Sequence, residues 1–252
     1  MRSISLPNAE VRVHPDAAAL SQAAADEVRR AALAAVGARD RCAIALSGGS
    51  TPKAVYSTLA AKGPAGFPWD RVHLFLGDER AVLADHAESN FRMVNEALLA
   101  RVPIPADCVH RIRTELGAPR AAAEYEAEIR RVFGSAPGAF PRFDLVLLGL
   151  GTDGHTASLF PGSAGLEERS ALVCANWVER LQAPRITLTF PVLNAAREVL
   201  FLVSGEEKSA VLRSVLRGNP SGRTYPAQLV RPAEGRLIWM VDEAAARESE
   251  LN

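Results

Sequence analysis

An apolar run without polar interruption, Leu145-Val146-Leu147-Leu148, lies between Asp144 and Gly149. Four such residues in a row suit a strand buried on both faces, as in a parallel sheet covered by helices. Short apolar runs recur at Cys42 to Leu46, Val72 to Leu76, Ile186 to Phe190, Val199 to Val203 and Leu237 to Val241. Amphipathic segments separate most of them. Asp16 to Val36 sets Leu20, Ala24, Val28, Ala31 and Ala35 along one helical face, with Pro15 and Gly37 as end signals. Ser50 or Thr51 is placed to cap a helix that carries Pro52 in its first turn and runs to about Ala61, ahead of a loop from Gly63 to Pro68. Further helices are expected from Ser89 to Val102, from Pro119 to Phe133, after Gly205 to about Leu216, and over the charged, Ala-rich C-terminus.

Strands alternating with helices predict an α/β fold: a doubly wound, mostly parallel sheet with helices on both faces. No internal repeat or low-complexity tract interrupts residues 1–252, which read as a single α/β domain with loops 103–119 and 217–234 as candidate insertions.

Parallel strands place all their C-termini on one edge, where α/β sheets bind ligands. Four polar loops directly follow a strand here: Ser47 to Pro52, Gly77 to Arg80, Gly149 to His155 and Ser204 to Lys208. They are expected to meet on one rim. Gly48-Gly49-Ser50-Thr51 at a helix start offers backbone N–H groups, hydroxyls and the positive end of a helix dipole, a cradle for phosphate or carboxylate. Arg80 and Lys208 can add charge-assisted hydrogen bonds, although a salt bridge of Arg80 with Asp78 or Glu79, and a solvated Lys208, fit the sequence equally well. Lys plus Arg equals Asp plus Glu at 29 each, so affinity for an anion has to be local, and neither nucleic acid nor a membrane surface is an expected partner.

Gly149 to His155 packs three glycines, Asp153 and His155 into one turn. His155 is the candidate general base; Asp153 either orients it or caps the turn. His14, His73, His86 and His110 have no comparable setting. The segment also fits G-x-G-x-x-G, but the Pro161-Gly162 break leaves at most a short helix, against a dinucleotide turn. A Walker A lysine is absent, and Ser158 lacks the G-x-S-x-G context of a nucleophile. Cys42, Cys108 and Cys174 are isolated and odd in number, which argues against a zinc site or disulfide framework and fits a reducing, cytoplasmic setting. No apolar core of a signal peptide opens the chain, and no stretch approaches ~18 apolar residues.

Taken together, SGGSTP (47–52), GDER with SN (77–80, 89–90), GLGTDGHTASLFPG (149–162), RITLTFPVLNAAR (185–197) and SGEEK (204–208) resemble the glucosamine-6-phosphate isomerase/6-phosphogluconolactonase family, from about residue 40 to the C-terminal WMVDEAAA. The deaminases of that group follow the DGH triplet with an isoleucine and an F-N-E-P run. Thr156-Ala157-Ser158-Leu159-Phe160-Pro161 stands here instead, so the resemblance is to the lactonase branch. One departure is Val82-Leu83-Ala84, where lactonases often carry proline. The resemblance implies hydrolysis of a small sugar-phosphate lactone, 6-phospho-D-glucono-1,5-lactone, without metal or organic cofactor, by a monomer or small homo-oligomer. It implies His155 and Asp153 as the catalytic pair. It also implies Arg80, Arg185 and Lys208 with Ser47, Gly48, Gly49, Ser50 and Thr51 around the sugar phosphate, Gly151 in the substrate site, and Asp78 either at a sugar hydroxyl or fixing Arg80. Arg185 precedes its expected strand and so falls outside the rim argument. The rival expectations are a deaminase and a non-catalytic sugar-phosphate sensor.

Overall fold

The computed structural model describes residues 2–136, 138–218 and 225–248. In chain order the elements are β1 (Arg2–Leu6), β2 (Ala9–His14), α1 (Ala17–Arg39), β3 (Cys42–Leu46), α2 (Ser50–Ala61), β4 (Val72–Leu76), β5 (Asp78–Arg80), α3 (Asn90–Ala97) and β6 (Val109–His110). There follow α4 (Ala118–Phe133), β7 (Leu145–Leu148), β8 (Val173–Val178), β9 (Ala183–Leu188), α5 (Phe190–Ala195), β10 (Glu198–Val203), α6 (Ser209–Arg217), β11 (Arg236–Asp242) and α7 (Glu243–Ala246).

Among the described residues, eight strands form the main sheet in the order β1-β2-β11-β10-β7-β3-β4-β6, parallel except for the β1–β2 hairpin. The uninterrupted apolar strands follow from burial on both faces. Leu145 and Leu147 point into the core shared with α1 and α2, and Val146 and Leu148 into the one shared with α4 and α6. Leu20, Val28, Val55 and Leu59 fill the first layer; Tyr125, Ile129 and Leu212 fill the second. The α/β reading, with helices on both faces, describes this architecture.

From β3 the chain winds outward through β4 to β6, then returns to the other side of β3 for β7, β10 and β11. The order therefore reverses between β3 and β7, and the loops after those two strands part to leave a crevice at their C-terminal ends.

Several local expectations are corrected. Gly77-Asp78-Glu79-Arg80 is not a plain loop, because Asp78–Arg80 is β5, antiparallel to β9 in a second sheet of order β5-β9-β8. Gly77 joins the two sheets: its N–H donates to the Leu46 carbonyl at 2.7 Å, and its carbonyl accepts from Leu188 N at 2.9 Å. The strand expected over Ile186 to Phe190 starts earlier, at Ala183, and stops at Leu188; Thr189 caps α5, which carries Pro191 in its first turn. The cap of α2 is Gly49, not Ser50 or Thr51. Helix α1 runs past Gly37 to Arg39 and closes on Asp40 in the left-handed region. The Ser89 helix stops as α-helix at Ala97, followed by a short 3₁₀ turn at Leu99–Arg101. Loop 103–119 supplies β6, the edge of the main sheet, and of loop 217–234 residues 219–224 lie outside the described residues. No helix among the described residues is long and apolar enough to cross a membrane.

Candidate active site

The crevice at the switch point is a cleft of ≈ 210 Å³, a size suited to a small metabolite. Its floor is the turn after β3. Tyr56 of α2 clamps that turn: its hydroxyl donates to the Ser47 carbonyl at 2.8 Å and accepts from Ser47 N at 2.9 Å. Gly49 has φ 106, which a side chain would strain, and a Cβ on Gly48 would stand 2.0 Å from Asn90 Oδ1. These two glycines let the start of α2 face the cleft with its first N–H groups free of helix partners. Ser47 Oγ is buried there without a hydrogen-bond partner among the described residues, a polar atom left for a ligand.

The junction after β4 supplies the charges. Asp78 is buried; its Oδ2 accepts from Ser158 Oγ at 2.6 Å, and its backbone carbonyl accepts from Asn90 Nδ2 at 3.0 Å. The Ser158 hydroxyl is thereby committed and buried, unlike a nucleophile. Glu79 turns the opposite way and gathers the start of α3, accepting from Asn90 N (2.7 Å), Phe91 N (2.8 Å), Ser89 Oγ (3.1 Å) and Arg80 N (2.8 Å). Burial raises the Glu79 carboxyl, and these donors only partly offset it. With both carboxylates occupied, the Arg80 guanidinium donates to the Glu88 carbonyl at 2.6 Å. Directly opposite it across the β5–β9 pair is Arg185, whose Nη1 donates to the Pro184 carbonyl at 3.2 Å. Burial first, and then the Arg80 charge, push Arg185 below the usual arginine value. Among the described residues neither arginine, nor Lys208 on the far loop, is paired with a carboxylate.

The turn after β7 supplies the base. Gly151 N donates to the His155 carbonyl at 2.9 Å, and Thr156 Oγ1 to the Gly149 carbonyl at 2.9 Å, closing the loop on itself. His155 Nδ1 and Asp153 Oδ1 lie 2.5 Å apart, and the ring stacks on Phe160 at 4.1 Å between centroids. Asp153 is acceptor-only when ionised, so Nδ1 carries the proton and Nε2 is left as the basic atom. Burial raises the Asp153 carboxyl, but the His155 hydrogen bond and the His155 and Arg180 charges outweigh it and hold it at about 2. The ring comes so close to the backbone that a Cβ on Gly151 would stand 2.0 Å from Nδ1. Ala157, lining the cleft beside it, takes φ 48, a left-handed conformation in a residue with a side chain. Gly154 (φ 79) carries the turn against Tyr225, and its carbonyl accepts from Ala227 N at 3.0 Å.

The sequence model of the glucosamine-6-phosphate isomerases/6-phosphogluconolactonase family matches residues 15–239. The chain belongs to that family. It is 42% identical over 239 residues to a 6-phosphogluconolactonase of a Nostoc species, covering 94% of this chain and 97% of that one. The human 6-phosphogluconolactonase is 45% identical over 234 residues, covering 91% of this chain and 88% of its own length. Among solved structures, the 6-phosphogluconolactonase from Trypanosoma cruzi superposes with a TM-score of 0.86 at 30% identity, over 99% of this chain and 100% of that one.

Of the residues singled out in this family member's sequence, Ser47, Gly48, Gly49, Ser50, Thr51, Asp78, Arg80, Gly151, His155 and Lys208 line the cleft together. Asp153 stands behind His155 rather than in the lining. Arg185, expected ahead of its strand and off the rim, lies inside β9, and antiparallel pairing carries it beside Arg80. Asn90, Ala157, Phe160 and Arg180 were not singled out. Asn90 stood in the quoted SN pair as the residue after a helix cap; Arg180 carried no local signal. Among the described residues no three His, Cys, Asp or Glu side chains are grouped to hold a metal.

Proposed function

We propose that the chain hydrolyses 6-phospho-D-glucono-1,5-lactone to 6-phospho-D-gluconate, with His155 as general base. One observation carries the reading: a His–Asp pair and a set of cations that, among the described residues, have no carboxylate partner line or flank the same small cleft. Arg80, Arg185, Lys208 and the start of α2 hold the phosphate, with the Ser47 hydroxyl within the same lining. The lactone carbonyl then lies toward the glycine turn after β7. His155 Nε2 takes a proton from water as the oxygen adds to the carbonyl carbon; the resulting oxyanion is met by backbone N–H groups of the glycine turns other than those of Gly151 and Gly154, which bond within their own turn. Collapse breaks the bond to the ring oxygen, which receives the proton from the imidazolium. Asp153 keeps Nδ1 as the donor throughout. Asp78, fixed by Ser158 and Asn90, accepts from a sugar hydroxyl. The residues from 1 to 252 act as one α/β unit in this reading, as a monomer or small homo-oligomer in the cytoplasm.

The test is acid release from freshly made 6-phosphogluconolactone, corrected for spontaneous hydrolysis, beside ammonia release from glucosamine 6-phosphate. Enzyme-dependent acid release is the expected result. Ammonia without lactone hydrolysis would move the chain to the deaminase branch, and tight binding of either sugar without turnover would make it a sensor.

A further inference from the structure

The β8–β9 hairpin turns at residues 179–182, and its own polar groups hold the tip. Gln182 sits at φ 47, and its Nε2 donates to the Glu179 carbonyl at 2.8 Å and to Glu179 Oε1 at 2.9 Å. Trp177 Nε1 donates to Glu179 Oε2 at 2.9 Å. Both carboxylate oxygens of Glu179 are thus engaged within the hairpin, and the neighbouring Arg180 reaches outward instead. Its Nη1 lies 3.1 Å from Asp153 Oδ2, and its guanidinium stands over the Phe160 ring, 5.4 Å from the centroid. Asp153 Oδ2 is buried and, among the described residues, accepts no aligned hydrogen bond, so this contact is one of charge. Phe160 is also the ring on which His155 stacks. Arg180 therefore touches both supports of the imidazole, the carboxylate that fixes Nδ1 and the ring that fixes the plane, while standing outside the cleft lining.

We propose that Arg180 is a positioning residue for His155, anchoring Asp153 by its outer oxygen and bracing Phe160 so that the imidazole keeps one tautomer and one orientation. The hairpin then has two tasks. Its strand β9 brings Arg185 to the phosphate, and its tip steadies the base. Removing the guanidinium frees the Asp153 carboxylate to rotate, weakens its hold on Nδ1–H and lets the ring populate the other tautomer, in which Nε2 cannot accept a proton.

The inference rests on His155 acting as the base, and the experiment separates the two. Arg180→Met and Arg180→Lys are compared with wild type by ¹⁵N NMR of the His155 ring at alkaline pH, with the signal assigned by its absence in His155→Asn. Steady-state kinetics are measured on the same proteins. In Arg180→Met the Nδ1–H form should fall toward its level in Asp153→Asn. kcat should drop by about two- to fivefold, the scale of a half-exposed ion pair, with KM within about twofold. Arg180→Lys should recover part of both. An unchanged tautomer population in Arg180→Met overturns the proposal. So does a tenfold rise in KM at constant kcat, which would make Arg180 a substrate contact. Wild-type turnover in His155→Asn would instead remove the base assignment, and the ring spectra of Arg180→Met would still decide the contact on its own.

Discussion

Arg80 and Arg185 are direct partners across the β5–β9 pair, so two half-buried guanidiniums project from the same face of an antiparallel ladder. Like charges in that relation destabilise a sheet unless an anion lies between them. Arg185→Met should therefore leave thermal stability in phosphate-free buffer equal to or above wild type. Affinity for 6-phosphogluconate should fall roughly ten- to hundredfold, the worth of a charged hydrogen bond. Lys208→Met should show the same loss, mainly in KM. A lowered Tm with unaltered product affinity would give Arg185 a structural role only.

The closeness of Gly151 to His155 offers a probe of the base that leaves the ring chemistry in place. Gly151→Ala puts a methyl 2.0 Å from His155 Nδ1 and 2.7 Å from Asp153 Oδ1, so the imidazole and its carboxylate have to move from their present positions. kcat should fall toward the ~10²–10⁴-fold loss expected for His155→Asn, with product binding retained in both. Circular dichroism checks that the fold survives, and near-normal kcat in Gly151→Ala would show that the ring tolerates displacement.

A histidine pair away from the cleft should make the fold sensitive to acid. His73 Nδ1 lies 3.0 Å from His110 Nε2, and His110 Nδ1 lies 2.8 Å from Glu128 Oε1. Burial lowers both imidazoles; for His110 the Glu128 contact opposes it only in part. Below the ordinary value of 6.5 the unfolded chain takes up protons that the native pair refuses. The stability contributed by this pair should thus be full above 6.5 and decline as pH falls beneath it, by at most about 1.4 kcal/mol per pH unit per histidine. Urea midpoints between about pH 8 and about pH 5 measure this. His110→Gln should be less stable at neutrality but flatter in slope; an unaltered slope would place the acid sensitivity elsewhere.

Chelation is the simplest check on the metal-free reaction. With no grouped ligands among the described residues, dialysis against a strong chelator should leave turnover unchanged. Loss of activity restored by one divalent ion would refute it.

Legibility in the sequence followed burial and chain distance. Cys42–Leu46 and Leu145–Leu148 could be read because both faces are buried, which leaves an unbroken apolar signature. The rim followed from polarity of the parallel strands alone. Strand β5 could not be read: Asp78-Glu79-Arg80 has three charges in a row, and its strand conformation comes from partners more than a hundred residues away in β9. In β8, buried Asn176 breaks the apolar alternation because it serves Ser158, Ser163 and Gly165 rather than the core. Pro191, by contrast, did mark the start of α5, and the apolar run up to Phe190 obscured it.

Gly77 has a consequence for engineering. Because it belongs to the ladders of both sheets, the path from β4 to β5 has no slack. Side chains alternate along a strand, so Asp78 and Arg80 face the cleft while Glu79 faces α3. Adding or deleting one residue at this junction inverts that parity. It would present Glu79 to an anionic substrate and strip α3 of its acceptor in a single step. Chimeras and loop grafts must hold the count from Leu76 to Arg80 fixed.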